Sequence, residues 1–440
     1  MPDNVGSDRH EPTSLKGIAL TASLNKAHRF QNLYGELTPD FLLTAWRRIN
    51  KDAASGVDKM TAEEYSRNLT DNLKRLARRL KEKTYKAKLV RRTYIPKDNG
   101  KERPLGIPAL EDKIVQRAVA MLLDAIYEQE FLDVSYGYRA GKSPNEAVGD
   151  LTFQLQFGRF GYLIEADIQG FFDNLDHDWL LKMLALRIDD TAFLHLIRKW
   201  LKAGILEPDG RIIDPDTGTP QGGIVSPVLA NVYLHYALDL WFERVVKPHC
   251  HGEALLCRYA DDWVCAFRYK RDASWFYEVL PKRLGTFGLT VEPSKTQMLR
   301  FSRFHPGMER RFSFLGFEFF WFPDRKGTSR VTRRTARKKL QGALKRIKEW
   351  MRLNRHKKTR WFLSALNTKL QGHYQYYGVR GNSKALWFFY EEVVEACFKW
   401  LNRRSQRRSY SWKAFKYLLS FIPLAKPRIT ELKRLHRASC

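Results

Sequence analysis

Several features of secreted and membrane proteins are missing from this chain of 440 residues, or scarce in it. It has five cysteines, and no two of them have the C-x2-C spacing of a zinc module. An odd number of cysteines without paired spacing argues against a disulfide framework and favours a cytoplasmic protein. No charge-free run of about 18 apolar residues occurs, which argues against a membrane span. The first residues are polar and lack an apolar stretch, so no secretory signal peptide is expected.

Acidic residues are scarce relative to basic ones, 48 against 77, which gives a formal net charge of +29. Residues 331–440 hold 28 of the basic and five of the acidic residues, a net charge of +23, which leaves +6 for the remainder. A large positive charge says little about fold, but it indicates an anionic partner. Because a membrane span is not expected, nucleic acid is the favoured partner, and clustered Lys and Arg on helices would bind its phosphate backbone.

Hydrophobic periodicity predicts an α+β chain that becomes all-helical toward its C-terminus. Residues 1–20 are expected to be disordered, and a strand pair is expected around a tight turn at Asp98-Asn99-Gly100. Short apolar strands are predicted at 161–168 and on both sides of Ala260-Asp261-Asp262, with an aromatic hairpin at 311–322. Length and these changes of pattern predict two or three domains.

Three aspartates lie where a two-metal nucleotidyl transferase would need them. Asp167 ends the apolar strand YLIEAD, and Asp261 and Asp262 lie between two apolar strands, at the tip of a predicted hairpin. Mg²⁺ is usually held by one or two carboxylates together with substrate phosphates. Two such ions, about 3.5–4 Å apart, can activate a hydroxyl and neutralise a leaving phosphate. Asp is also favoured in ordinary turns, so the three residues alone leave both interpretations open.

Six sequence blocks in a fixed order carry a resemblance to a known family. The blocks are IPKDNGKERPLGIP (95–108), ADIQGFFDNLDH (166–177), GTPQGGIVSPVLANVYL (218–234), RYADDW (258–263), FGLTVEPSKT (287–296) and FLGFEF (314–319). Together they resemble the reverse transcriptases that bacterial group II introns encode. A later segment, LNTKLQGHYQYYGVRGN (366–382), resembles the maturase domain that follows the polymerase in that family.

The resemblance implies a right-hand polymerase fold with antiparallel palm strands and a helical appendix. The implied regions are fingers over 21–160, a palm over 161–330, a helical thumb or maturase domain over 331–410, and a basic tail, a possible DNA-binding region, over 411–440. Many family members end in an endonuclease with paired cysteines. The cysteines of this chain are not paired in this way, so the chain is expected to resemble the short, endonuclease-lacking proteins of class C introns.

The resemblance also implies roles for single residues. Asp167, Asp261, Asp262 and the backbone carbonyl of Ile168 would hold two Mg²⁺ ions, for which Mn²⁺ could substitute. Phe172 would be a steric gate that excludes a ribose 2′-hydroxyl, although the Phe171-Phe172 pair could also be plain core.

Further implied contacts concern the incoming nucleotide and the RNA. Lys97 and Arg103 would bind the triphosphate, since a point charge and a bidentate fork suit phosphate oxygens. Gln221 would touch the nucleotide from a glycine-containing loop, and Lys295 would protonate or neutralise the pyrophosphate. The basic run expected to bind RNA consists of Arg403, Arg404, Arg407 and Arg408.

The implied activity is RNA-directed DNA synthesis. Its partners would be an RNA template, a DNA or RNA primer, dNTPs and, for the maturase role, a group II intron RNA and target DNA. Three alternatives stay open: a splicing-only RNA-binding protein with a decayed polymerase site, an RNA-directed RNA polymerase, and a domesticated, defence-associated or CRISPR-associated reverse transcriptase. The three retained aspartates argue against the first, and Phe172 argues against the second because an RNA polymerase needs room for the 2′-hydroxyl.

Overall fold

The computed structural model of the protein describes residues 13–96, 102–324, 326–404 and 409–431. The first third of the chain is mainly helical and contains one β-hairpin. Its elements are α1 (Thr13–Leu24), α2 (Pro39–Arg48), α3 (Ala62–Ser66), α4 (Leu69–Lys81), β1 (Val90–Pro96), β2 (Glu102–Ile107), α5 (Leu110–Tyr127) and α6 (Pro144–Phe157). Strands β1 and β2 pair antiparallel as predicted, while the predicted tight turn between them lies outside the described residues.

The expectation that residues 1–20 are disordered is wrong for residues 13–20, which belong to α1. Leu15 and Ala22 are buried and Ile18 is half-buried. These residues form one helical stripe, and α1 packs against α5. The polar composition of the segment hid this stripe, because only every third or fourth residue of such a helix needs to be apolar.

Strands and helices alternate through the middle of the chain. In order they are β3 (Tyr162–Ala166), α7 (His177–Ala185), α8 (Thr191–Leu201), β4 (Ile205–Leu206), β5 (Ile212–Ile213), α9 (Ser226–Leu234), α10 (Lys247–His249), β6 (Ala254–Tyr259), β7 (Asp262–Phe267), α11 (Lys270–Gly285) and β8 (Gln297–Arg300). One continuous helix begins with α9 and ends with α10. Its second half contains two π-helical turns, His235–Asp239 and Phe242–Val246.

The central sheet is antiparallel, with the strand order β6-β7-β3-β8. Both faces of this sheet are buried, because successive residues of its strands pack into two different hydrophobic cores. Ile164 and Cys265 point into the large core that includes α5, α9 and α11, whereas Leu163 and Val264 point into a smaller core that includes α6. Burial on both faces explains why these strands are almost continuously apolar. A second sheet, β2-β1-β4-β5, ties the β1–β2 hairpin to the middle of the chain through the parallel pair β1–β4.

A third sheet and a set of helices complete the described chain. The remaining elements are β9 (Gly307–Phe314), β10 (Phe317–Pro323), β11 (Ser329–Thr335), α12 (Arg337–Asn354), α13 (Thr359–Tyr377), α14 (Ser383–Leu401) and α15 (Trp412–Phe421). The sheet is antiparallel with the order β11-β10-β9, so the α+β class is confirmed. Residue 330, the predicted boundary, lies inside β11, and helices begin only after Thr335.

Residues 411–431, expected to form part of a separate basic tail, belong to the helical region instead. The Trp412 ring stacks on Phe398 at 4.0 Å between ring centroids, and Phe415 is fully buried. Residues 422–431, here called the C-terminal strap, then run along α13. Asn367 holds the strap with two hydrogen bonds, to the Pro423 carbonyl at 2.8 Å and from the Ala425 amide at 2.7 Å.

The end of the strap is fixed to the third sheet by a two-pronged ion pair. The guanidinium of Arg333, on β11, donates to both carboxylate oxygens of Glu431, at 2.8 and 3.0 Å. Arg333 is buried, and the backbone amide of Arg380 donates to the same carboxylate at 2.8 Å. The strap therefore joins α13 to the sheet that precedes the helices.

We expect Glu431→Gln to lower the free energy of unfolding by about 2 kcal/mol, because it leaves the buried Arg333 charge without its carboxylate. Urea denaturation of the full chain measures this change. Glu391→Gln, on an exposed position of α14, is the matched control. Equal stability of the two variants would contradict a structural role for the strap.

Among the described residues, no helix is both long enough and apolar enough to cross a membrane. The four cysteines that the structure describes are free thiols, and Cys257, Cys265 and Cys397 are buried. Burial raises the pKa of each of these three thiols above its usual range, so they remain protonated and act as small apolar side chains.

Candidate active site

A two-residue turn between β6 and β7 carries the paired aspartates. Tyr259 pairs with Asp262 across the hairpin, so Ala260 and Asp261 form the turn itself. Ala260 has a φ of +58°, the left-handed conformation that glycine usually supplies at the first central position of a tight hairpin turn. A non-glycine residue in this region is strained, and such strain persists only where the surrounding structure imposes it.

Asp167 lies beside this turn because its strand is the neighbour of β7. Ala166, the last residue of β3, pairs with Trp263, the second residue of β7. The three carboxylates therefore meet at one end of two adjacent strands. Burial, and then the charge of Asp167, raises the pKa of the Asp261 carboxyl above its usual range. Desolvation, and then the charge of Asp261, does the same for the pKa of Asp262, although its side chain keeps an open face to solvent.

The raised pKa values indicate a place where negative charge is held against repulsion and where a cation would be favoured. In the parts of the chain that the structure describes, no group of three His, Cys, Asp or Glu side chains is arranged to hold a metal ion by itself. A pair of aspartates that shares its cation with substrate phosphates fits the coordination habits of Mg²⁺, which rarely takes a complete protein cage. The residues present therefore fit a substrate-assisted divalent metal site.

Ile168 is buried and bridges Val291 in an antiparallel pair. The flanking hydrogen bonds run from Glu292 N to the Asp167 carbonyl at 2.8 Å and from Gln169 N to Thr290 O at 2.9 Å. Neither bond uses the Ile168 carbonyl, the oxygen predicted to bind metal.

Lys295 contacts one of the three carboxylates directly. Its ammonium group forms an ion pair with the Asp167 carboxylate, and this hydrogen bond raises the pKa of Lys295. The resemblance assigns Lys295 to the leaving pyrophosphate. In this structure its charge is on Asp167 instead, and about two thirds of the side chain is still exposed.

The structure separates the two adjacent phenylalanines, which sequence alone could not do. Phe171 is buried in the core, whereas Phe172 is only half-buried at its edge. The rings meet edge to face at 5.3 Å. The Phe172 carbonyl accepts a hydrogen bond from Thr219 N at 2.8 Å, which connects Phe172 to the loop that carries Gln221.

That loop packs tightly against β2. Gly106 N donates to the Gln221 carbonyl at 2.6 Å. Gly222 has a φ of +113°, and a Cβ atom there would lie 2.6 Å from the Gly106 carbonyl oxygen. Glycine at this position is therefore required by both conformation and close approach. Sequence reasoning missed a further contact: His177 Nε2 lies 2.6 Å from the Gly218 carbonyl and braces the same loop.

Arg103 is exposed on β2 and interacts electrostatically with Asp261. Its positive charge opposes the rise in the pKa of Asp261. It acts in the same way on Tyr138, a half-exposed phenol whose pKa is raised by burial and then by the charge of Asp261. Tyr138 was missed at the sequence level, although it lies in the aromatic and basic segment SYGYRAGK. Lys97 lies outside the described residues.

The FLGFEF block forms a second turn against the first. Leu315 and Gly316 both have positive φ, +49° and +78°, as a tight hairpin between β9 and β10 requires. The Leu315 amide opposes the rise in the pKa of Asp262, and the Leu315 carbonyl accepts a hydrogen bond from Tyr376 Oη at 3.1 Å. Tyr376 belongs to α13, so the helical region reaches the carboxylate cluster through this turn.

The predicted RNA-binding arginines do not form one exposed run. Arg403 is exposed and lies 5.8 Å from the Trp400 ring. Arg404 is half-buried: it donates to Thr359 Oγ1 at 2.8 Å, and burial lowers the pKa of its guanidinium. The expectation that Arg404 is exposed to solvent is wrong, because its side chain packs into the helical core. Arg407 and Arg408 lie outside the described residues.

Comparison with known proteins agrees with this geometry. The family model described as reverse transcriptase (RNA-dependent DNA polymerase) matches residues 95–319. Group II intron-encoded protein LtrA of Lactococcus lactis subsp. cremoris is 41% identical over 226 residues, 50% of this chain and 37% of that protein. Protein YkfC of Escherichia coli K12 is 34% identical over 279 residues, which cover 56% of this chain and 73% of YkfC.

A third relative is an uncharacterized 91 kDa protein in the cob intron of Schizosaccharomyces pombe, 30% identical over 324 residues, or 61% of this chain and 39% of the relative. The chain thus spans less than half the length of LtrA and of the fission yeast protein. The matched region contains the three aspartates, Phe172 and both turns. The chain belongs to the reverse transcriptase (RNA-dependent DNA polymerase) family, of the kind that group II introns encode.

Proposed function

We propose that this protein is an RNA-directed DNA polymerase that extends a primer on an RNA template and also binds group II intron RNA as a maturase. Reverse transcriptases depend on divalent metal and act on nucleic acid. For this chain we propose two Mg²⁺ ions, replaceable by Mn²⁺, and dNTPs as substrates. The observation that carries the proposal is the meeting of Asp167, Asp261 and Asp262 at one end of β3 and β7, with the half-buried Phe172 five residues after Asp167.

Each group in the proposed site has a defined task. Divalent cations held at this cluster would lower the pKa of the primer 3′-hydroxyl and neutralise the attacking and leaving oxygens. Asp167 and Asp261 would hold the cations, with the carbonyl of Ile168 as a further ligand, and Asp262 would complete the charge of the site. Three neighbouring carboxylates repel one another in the free protein, and bound cations would offset this repulsion.

A second set of residues binds the incoming nucleotide. Arg103, whose charge acts on Asp261, binds the triphosphate together with Lys97, by charge and by its planar fork. Lys295 is paired with Asp167 in the free protein, and in the complex with substrate its ammonium group would neutralise the pyrophosphate. Gln221, on the loop joined to β2, contacts the base pair, and Phe172 fills the space of a 2′-hydroxyl.

Primer extension by the full chain on poly(rA)/oligo(dT), with dTTP and Mg²⁺, tests the proposal. Extended product that disappears with EDTA and returns with Mg²⁺ supports it. A folded preparation that binds template–primer but makes no product contradicts it.

The maturase part of the proposal predicts steep salt dependence of RNA binding, because residues 331–440 carry a net charge of +23. Replacing Arg403, Arg407 and Arg408 with Gln should flatten the log–log slope by roughly one unit for each lost phosphate contact. Arg404 is left in place because it is part of the helical core. The measurement is a filter-binding titration on a group II intron RNA at several salt concentrations.

The control for this experiment removes the same charge elsewhere. Lys270, Arg271 and Lys282 are exposed on α11, and their replacement by Gln should leave the slope nearly unchanged. If both triple variants lose the same affinity, the positive charge acts only as a diffuse field, and a specific RNA-binding role for the arginine run is wrong.

A further inference from the structure

Arg258 is completely buried one residue before Tyr259 and the turn that carries the aspartates. Its exposed fraction is 0%, as is that of Asp239. Arginine and aspartate are almost never fully buried unless they are paired. Among 77 basic residues the sequence gives no sign that this arginine differs from one that binds phosphate.

The guanidinium of Arg258 makes four hydrogen bonds in three directions. Nε and Nη2 donate to the two carboxylate oxygens of Asp239, at 2.7 and 2.5 Å. Nη1 donates to Asn231 Oδ1 and to the carbonyl oxygen of Ala260, both at 3.0 Å. One arm of the guanidinium thus holds the backbone of the Ala260–Asp261 turn, while the other is locked by a bidentate ion pair.

The partners of Arg258 are themselves held by the long helix that begins with α9. Asn231 lies in α9, and Asp239 ends the first π-helical turn. Such turns often occur at functional sites, because they displace a side chain from the regular helical face.

The Ala260–Asp261 turn also packs against the backbone of Gly137. Asn231 Nδ2 donates to the Gly137 carbonyl at 2.7 Å. A Cβ atom on Gly137 would collide with the backbone nitrogen of Ala260, so the Gly137 backbone lies directly against the turn. Arg258 and Gly137 therefore clamp Ala260 at its carbonyl and at its amide.

We propose that Arg258, oriented by Asp239 and Asn231, is a positioning residue that holds the strained Ala260–Asp261 turn so that Asp261 faces Asp167. This role rests on the proposed metal-binding function of Asp261 and adds to it. The positive φ of Ala260 provides the physical reason, since a conformation that L-residues avoid relaxes unless contacts hold it. The stability of the fold does not by itself require the Arg258–Asp239 ion pair, because a buried ion pair can often be replaced by apolar residues of similar volume without loss of stability.

The main test is therefore the double variant Arg258→Met/Asp239→Leu. It removes the clamp without leaving a lone buried charge, so its thermal unfolding temperature should remain close to that of the wild type. Mn²⁺ binding is measured by electron paramagnetic resonance on the full chain with a dideoxy-terminated template–primer and the next dNTP. We expect Mn²⁺ affinity and the single-turnover rate of incorporation each to fall by at least about tenfold, because small misplacements of catalytic groups have effects of this size or larger. Affinity for template–primer should not change.

Arg283→Gln is the matched control. Arg283 donates to the carbonyls of Ala237 and Tyr236, at 2.9 and 3.0 Å, and so braces the same π-helical turn without touching Ala260. It should leave Mn²⁺ binding and the incorporation rate unchanged. Arg258→Lys keeps the charge but not the fork, and it should fall between wild type and the double variant in both measurements.

Wild-type Mn²⁺ affinity and rate in the double variant would overturn the proposal. If that variant does not fold, Arg258→Lys decides: a weakened Mn²⁺ affinity with normal template–primer binding supports positioning, and wild-type values overturn it. A failure of the proposed function looks different, because in that case wild-type protein makes no product or Asp261→Asn retains full activity, whatever the Arg258 variants do.

Discussion

Replacing Asp261 with Asn is expected to abolish RNA-templated primer extension while leaving the affinity for template–primer close to that of the wild type. The amide keeps the shape of the side chain but removes the charge that a divalent cation needs. We expect the rate to fall by at least about a thousandfold, or about 4 kcal/mol in activation free energy. Single-turnover incorporation on poly(rA)/oligo(dT) measures the rate, and filter binding measures the affinity.

The same variant should not unfold more easily. The pKa of Asp261 is raised in the folded chain by burial and by Asp167, which means that folding disfavours its charged form at neutral pH. Asn removes this unfavourable charge, so the unfolding temperature should stay equal or rise. Asp133→Asn is the control, since that side chain is 99% exposed. An extension rate within the range of this control would refute the assignment of Asp261.

The second large effect is expected at the ring of Phe172. Phe172→Ala should reduce the preference for dNTPs over NTPs, measured as the ratio of kcat/KM values, by about tenfold or more, because removing the ring opens space for the 2′-hydroxyl. The half-buried position of Phe172, in contrast to the buried Phe171, favours this result. The carbonyl of Phe172 keeps its bond to Thr219 N, so the loop should not move.

Phe153→Ala removes an equally large ring that is 45% exposed on α6, and it should leave sugar discrimination unchanged. Unchanged discrimination in Phe172→Ala as well would mean that Phe172 is a core residue and that another group excludes ribonucleotides. A general loss of activity with both sugars would place Phe172 in the framework of the site instead.

The elements around the aspartates could be predicted because their signal is local. The apolar runs on both sides of Ala260-Asp261-Asp262 form a hairpin, as predicted, and the strand that ends before Asp167 is its neighbour. The helical pattern predicted toward the C-terminus is confirmed by α12 to α15, although β11 extends to Thr335. In each case the pattern within about a dozen residues determines the element, and periodicity detects such patterns well.

The contacts that could not be predicted connect residues far apart in sequence. Asp239 and Arg258 look like two ordinary surface charges until the fold buries them together. Arg404 belongs to a run of arginines typical of an RNA-binding surface, yet packing against Thr359 and Phe362 turns it inward. Glu431 lies in a segment expected to be a separate tail, and only the tertiary structure pairs it with Arg333. Burial of charge depends on the whole fold rather than on local pattern.

The most direct test of the central claim is incorporation of a single deoxynucleotide by the full chain on an RNA template, with wild type and Asp261→Asn compared in the presence of Mg²⁺. We expect a primer one nucleotide longer with wild type, no extended primer with the variant, and equal template–primer binding by both. Incorporation by Asp261→Asn at the wild-type rate would contradict the claim that the carboxylates at the end of β3 and β7 form a polymerase active site.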